Sequence, residues 1–313
     1  MIEIVATAGL ATVQDLGRSG SLRYGVGRAG AMDRVSLAAA NLLLGNEEDA
    51  AGIEIQIFPF TLCFTGPCGF ALTGADCGAK LDGTNLLPWS AYTATTGQEL
   101  TLGLPSPGPS RAYLALSGGV DVPEVLGSRS TQLRGAFGGL EGRALQAGDR
   151  LSAAAPGTGR GGFGLVPPKL GDPVRVLPAA EYDLLTETAQ DLVWSTAWKI
   201  TAQSDRYGYR LAGETLTFAE PVEMLSHGIV PGVIQLPPSG QPIVQMSDAQ
   251  PSGGYPKIGT VIDADLWRLG QAPIGGRIRF ARTTWSEAVA AGEALRRWLA
   301  EAGRLIRLQR GRT

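Results

Sequence analysis

One histidine, His227, is all the imidazole that 313 residues contain, and this scarcity argues against a Ser/His/Asp triad and against a histidine-built zinc site. Cysteine is nearly as scarce. Cys63, Cys68 and Cys77 fall within fifteen residues, but their spacings match no common zinc pattern and no histidine lies nearby in sequence. They read as small buried thiols in a reducing compartment, and His227, between "EMLS" and "GIVPG", reads as a surface residue at a strand-to-loop junction. No G-x-S-x-G elbow occurs, which excludes an α/β-hydrolase serine. No apolar run approaches the ~20 residues needed to span a bilayer, and the N-terminus lacks a basic region followed by an apolar one, so a cytoplasmic protein is expected. The net charge is −2 and the 23 arginines are scattered rather than striped, so neither nucleic acid nor membrane is an expected partner. A small-molecule substrate or another protein is.

What the chain does have is 44 glycines and 20 prolines separating short β-like runs such as "IEIV", "GIEIQIF", "FALTG", "RAYLALSG", "GVIQLP" and "PIVQMS". That pattern predicts a mainly β fold of sandwiches or barrels with a few helices. Three segments carry helical pattern: Asp33 to Leu44, stopped by Gly45; about Ala180 to Val193; and the segment from Thr284 onward. In the last, Thr284 and Glu287 have capping-box spacing, with Val289, Leu295, Trp298 and Leu299 near one face. The stretch 156–173 loses periodicity and fills with Gly and Pro, marking a connector between an N-terminal domain (1–155) and a C-terminal domain (174–313). The halves show faint similarity, "TVQDLGRSGSLRYGVGRAG" to "TAQSDRYGYRLAG" and "FALTGADCGAKLDG" to "PIVQMSDAQPSGGYP", which suggests a duplicated barrel.

Two nucleotide-like patterns fail on inspection. Gly159 to Gly164 satisfies G-x-G-x-x-G but runs into "LVPPKLG", where a helix N-terminus would have to hold the phosphate. "GADCGAK" (74–80) has too few residues between its glycines and is followed by Leu81 instead of Ser or Thr, so it is not a P-loop. No lysine adjoins a methionine, as a biotin-bearing lysine would, so no covalently bound cofactor is expected. The remaining chemistry is a polar constellation in glycine-rich loops. Asp15, Asp76 and Asp248 are the candidate catalytic carboxylates, and Arg18, Arg129, Arg206, Gln250 and Tyr255 the candidates for binding substrate. Aspartate can move a proton or hold an arginine, and arginine can grip a carboxylate with two parallel bonds. No metal ligand set is expected.

The blocks "TVQDLGRSG" (12–20), "GAMDRVSLAAAN" (30–41), "RAYLALSGGVDVPEVLGSRST" (111–131), "GIVPGVIQLPPSGQPI" (228–243) and "GGYPKIGTVIDADLWRLGQ" (253–271) resemble, in order, the family of the 5-oxoprolinase C subunit. That family is also known as KipA, allophanate hydrolase subunit 2 and biotin-dependent carboxyltransferase. The resemblance implies two cyclophilin-like β-barrels. It also implies a heteromer with two partner chains of 5-oxoprolinase, the KipI-like B subunit together with the A subunit. Such an enzyme opens 5-oxo-L-proline to L-glutamate, with ATP handled on the partner chains. Two alternatives remain open under the same resemblance: a carboxyltransferase-like subunit of a urea or other amide (allophanate) pathway, and a non-enzymatic antagonist of a KipI-like kinase inhibitor. The chain departs from the family pattern at "SDRYGYRL" (204–211), at His227 and at Pro251-Ser252.

Overall fold

The glycine- and proline-punctuated runs form strands throughout the computed structural model, which describes residues 1–155, 161–171 and 173–310. The fold is mainly β, in two units. The first comprises Met1–Ser19, Ala29–Pro168 and the chain from Arg296; the second comprises Gly20–Arg28 and Lys169–Leu295.

In the first unit, a seven-stranded sheet built around Ile2–Thr7, Phe60–Phe64 and Glu99–Leu102 faces a five-stranded one in the order Ala11–Gln14, Gly52–Ile55, Ala112–Leu116, Cys68–Gly74, Ser90–Ala94. Alternate residues of both sheets point into one core, with Ile4, Phe60, Leu62, Phe64 and Leu100 meeting Val13, Ile53, Phe70, Leu72 and Leu114. Helix α1 (Arg34–Leu44) covers the outer face of the five-stranded sheet, with its Ala40 and Leu43 against Ala71 and Ala115. Both faces of Cys68–Gly74 and Ala112–Leu116 are therefore covered. This is why those strands are buried along their whole length instead of alternating. Asp33 caps α1 by accepting the Ser36 amide at 2.8 Å, and left-handed Gly45 closes it.

The second unit is built on an eight-stranded sheet in the order Arg277–Ile278, Trp198–Ile200, Gly208–Ala212, Ile243–Gln245, Val233–Gln235, Lys257–Val261, Val174–Pro178, Phe280–Arg282, with a separate two-stranded ribbon. The two edge strands are consecutive in sequence, with only Arg279 between them, so the sheet curls until its edges adjoin in a nearly closed barrel. Trp198, Tyr209, Leu211, Ile234, Val244 and Ile258 are buried. Helix α2 (Glu187–Ser195) and helix α3 (Asp263–Gln271) flank the sheet; Asp265 of α3 takes Nε and Nη2 of Arg175 at 2.9 and 2.7 Å.

The division differs from the sequence expectation at both ends. Segment 20–28 belongs to the second unit because Gly27 lies so close to the Ala249 carbonyl oxygen that a Cβ there would stand 2.7 Å from it. The C-terminal turns of helix α4 (Trp285–Arg310) belong to the first. Ala302, Gly303 and Ile306 are buried, Gly303 faces Leu42, and Arg310 donates to the Leu43 carbonyl at 2.8 Å. The buried face of α4 thus lies later than the expected stripe, and Val289 is exposed. Of the expected connector, residues 156–160 and 172 lie outside the described residues. Residues 161–165 run beside Ser90–Ala94, exchanging Gly162 N–H to Ala91 O and Ala91 N–H to Phe163 O, each at 2.9 Å.

The capping box of α4 forms in both directions: the Thr284 amide donates to Glu287 Oε2 at 2.8 Å and the Glu287 amide to Thr284 Oγ1 at 3.3 Å. The Thr284 amide, followed by the hydroxyls of Thr283 and Thr284, holds the Glu287 carboxyl below its usual range. A carboxyl lowered in this way stabilises the helix start at neutral pH and loses that contribution as pH falls through the carboxylate range. Glu287→Gln should remove this part of the acid dependence, read as a smaller loss of thermal midpoint between pH 7 and pH 4 than in the parent. Gly30→Ala should be costlier at every pH. Gly30 has φ +94° and its Cβ would stand 2.8 Å from the Gly17 nitrogen, so a loss of more than about 1 kcal/mol is expected in chemical denaturation.

Candidate functional site

Two polar loop clusters, one in each unit, contain most of the candidate residues. In the first unit, Asp15 follows the strand Ala11–Gln14 and is buried. Its carboxylate accepts the Gly17 amide at 2.8 Å, the Ser128 hydroxyl at 2.7 Å, the Ser130 hydroxyl and the Arg129 amide. Its backbone also bonds outward, taking the Ala31 amide at 2.9 Å and donating to Ser130 Oγ at 2.9 Å. Three of these donors converge on Oδ1 and the Arg129 amide reaches Oδ2, so Asp15 acts as a clamp joining segments more than a hundred residues apart. Arg18 strengthens the same junction. It is buried, donates to the Ser130 carbonyl at 2.7 Å and lies over the Phe137 ring at 4.8 Å. Arg129 reaches the surface, where it pairs with Glu124 at 2.6 Å and donates to the Val122 carbonyl at 3.0 Å. Asp15, Arg129 and Glu124 line a cleft of about 770 Å³, together with Glu47, Asp49 and Arg310.

In the second unit, Arg206 and Asp248 form a buried two-pronged pair, Nε to Oδ2 at 3.0 Å and Nη2 to Oδ1 at 2.9 Å. The Asp248 amide also donates to the Arg206 carbonyl at 2.9 Å. The guanidinium fork is therefore engaged from within the chain, which makes the pair a brace between two loops. Beyond it, Gln250 is exposed and Tyr255 is half-exposed. Below Tyr255, the buried Gln245 amide donates to Gln235 Oε1 at 2.9 Å, and Gln235 donates to the Tyr255 carbonyl at 3.3 Å. Gly253 passes so close to Gln235 that a Cβ would stand 2.8 Å from its Nε2. Two departures from the family pattern meet here, since His227 and Gly228 pair as a short ribbon with Gly253 and Ser252.

Asp76 stands apart from the Asp15 clamp within the same unit. It is exposed and accepts the Gly78 amide at 3.1 Å. Burial, and then the Asp76 charge, push the neighbouring Cys77 thiol up to about 12, so it stays protonated at neutral pH. Among the described residues, no three His, Cys, Asp or Glu side chains are grouped to hold a metal ion, and no helix is long and apolar enough to cross a membrane. Sequence reasoning misses Ser128 and Ser130, the donors that occupy Asp15; their alternation around Arg129 in "GSRST" is the available signal. It also misses a buried network under α1. There the Tyr113 hydroxyl donates to Glu54 Oε2 at 2.7 Å and accepts the Asp33 amide at 2.7 Å, while Glu54 also takes the Met32 amide at 2.7 Å. Burial, with the Glu54 and Asp33 charges, keeps the Tyr113 phenol protonated well above its usual range. The network fixes the turn that leads from Gly30 into the helix.

A family model described as the carboxyltransferase domain, subdomain A and B, matches residues 24–282, and the chain belongs to that family. Within it, the chain is 43% identical to the 5-oxoprolinase C subunit of Haemophilus influenzae over 288 residues, covering 92% of this chain and 93% of that one. It is 42% identical to the 5-oxoprolinase C subunit of Escherichia coli over 299 residues, covering 95% and 96%. The crystal structure of the K. lactis urea amidolyase superimposes with a TM-score of 0.88 at 26% identity over 96% of this chain, which spans 20% of that much longer protein.

The two loop braces have separable consequences. Asp15→Asn places an amide N–H₂ among donors and should cost about 1–3 kcal/mol, read as a lowered denaturation midpoint with faster exchange of the Arg129 amide proton. Arg206→Ala leaves the buried Asp248 charge uncompensated and should cost about 3–5 kcal/mol, much of it recovered by the double change Arg206→Met with Asp248→Leu.

Proposed function

We propose that the chain is the C subunit of an ATP-dependent 5-oxoprolinase complex, contributing substrate binding and stabilisation of the reacting carbonyl to lactam opening. The observation that carries this reading is end-to-end similarity at 42–43% identity to two proteins of that name, with more than nine-tenths of each chain covered. The chemistry suits a division of labour. An unstrained lactam is a poor electrophile, and transfer of the ATP γ-phosphoryl group to its oxygen, with ADP leaving, activates the ring carbon. Water then adds, the C–N bond of the tetrahedral adduct breaks to free the amine, and a second water releases phosphate and leaves the new carboxylate of glutamate. Neither glycine-rich pattern in this chain has the features of a phosphate loop, so ATP is assigned to the A and B partners. Hydrogen-bond donors in glycine-rich loops are suited to hold a substrate carboxylate or a developing oxyanion. Of the three aspartates, Asp15 and Asp248 serve as loop clamps, and exposed Asp76 is the one whose carboxylate is available for proton transfer.

Structural similarity to the urea amidolyase over almost the whole chain favours a second reading, a carboxyltransferase-like role served by a biotin carrier on another chain. One reconstitution separates them. The chain with its cognate A and B partners should release glutamate from 5-oxoproline only when ATP is present. Equal release by A and B alone overturns the assignment, and transfer of carboxyl from a carboxylated biotin carrier to urea, without glutamate release, selects the second reading.

A further inference from the structure

The Arg206–Asp248 pair moves the question of anion binding four residues along the chain. Arg210 lies on the strand Gly208–Ala212, where Tyr209 and Leu211 point into the barrel and Arg210 points out. Its backbone amide donates to Ser204 Oγ at 3.0 Å, but its guanidinium has no hydrogen bond or ion pair among the described residues. It lines an open cleft of about 390 Å³ with Thr201, Gln203, Ser239, Gln241 and Tyr255, beside the apolar Pro242 and Ile243. This volume lies within the range of small-molecule sites. The lining holds one cation and no acid, whereas the cleft at Asp15 in the first unit has four carboxylates against two arginines. The Thr201 hydroxyl is buried without a partner among the described residues, a cost that a bound acceptor or donor would remove. Tyr255, half-exposed, lines the same cleft.

We propose that this outer-face cleft of the second unit is a binding site for a small monocarboxylate. Arg210 grips the carboxylate with two parallel N–H donors, and Tyr255 and Thr201 hydrogen-bond the remaining polar atoms. A guanidinium fork matches a carboxylate in shape as well as charge, and with no acid in the lining nothing competes for it. The cleft itself rests on the observations above; that the carboxylate is 5-oxoproline rests on the function proposed for the chain. Because Arg210 is exposed, Arg210→Gln should fold as the parent does.

Binding to the full chain is measured by titration calorimetry with 5-oxoproline, with 2-pyrrolidone, which is the same lactam without the carboxylate, and with propionate. Arg210→Gln is expected to weaken 5-oxoproline and propionate by about 10- to 100-fold, Arg210→Lys by less, and Tyr255→Phe by about three- to tenfold, while 2-pyrrolidone binding is the same in all. In the reconstituted complex the same loss is expected in KM, with kcat nearly constant. Unchanged carboxylate binding in Arg210→Gln overturns the site, as does a parent chain that binds neither acid. A parent that binds propionate but not 5-oxoproline keeps the site and removes the lactam as its ligand. Glutamate release with unaltered KM in Arg210→Gln keeps the lactam-opening reading and removes the site.

Discussion

A buried carboxylate must take hydrogen bonds from its own chain in place of water, and this constraint recurs in both units. At Asp15 it gathers Gly17, Ser128, Arg129 and Ser130 into one junction; at Asp248 it takes up the guanidinium of Arg206. Desolvating such a charge is expensive unless hydrogen bonds and an opposite charge replace water, so each site is tightly determined. The loops around them are therefore rigid walls, and the polar groups available to a ligand are the ones these braces leave over.

That distinction explains how far the amino-acid sequence can be read. Element type is legible wherever a local rule dominates, as with the Asp33 cap and Gly45 stop of α1, the reciprocal Thr284 and Glu287 cap, and the alternating strands of the first core. Helix α3 escapes the pattern because it starts after Ile262 with no side-chain cap and is only nine residues long. Val289 fails as a core position because helix α4 buries residues only from Ala302 on, in the turns that belong to the first unit. The mainly β fold survives these errors because barrel strands need only short-range alternation.

The candidate site is legible by residue type but not by role. Arg206 reads as an anion grip because arginine binds carboxylates well, and the same property gives it to Asp248, 42 residues away. The side-chain and backbone donors that Asp15 draws from the Ser128–Ser130 turn lie 113 to 115 residues from it, beyond any spacing rule. Arg210 is the instructive opposite. Its outward position follows from the period-two burial of Gly208–Ala212, a purely local pattern, yet its availability depends on the cleft lining, which only three dimensions supply.

Segment 20–28 has a consequence for how the chain is made. Its place against Ala249 means that residues emerging early from the ribosome must wait for more than two hundred further residues before their binding surface exists. The first unit waits longer still, for the turns of α4 that follow Arg296. Each unit draws on chain from both sides of the glycine- and proline-rich stretch, so separate expression of the two halves would leave the first unit without Ile306 in its core and the second without segment 20–28.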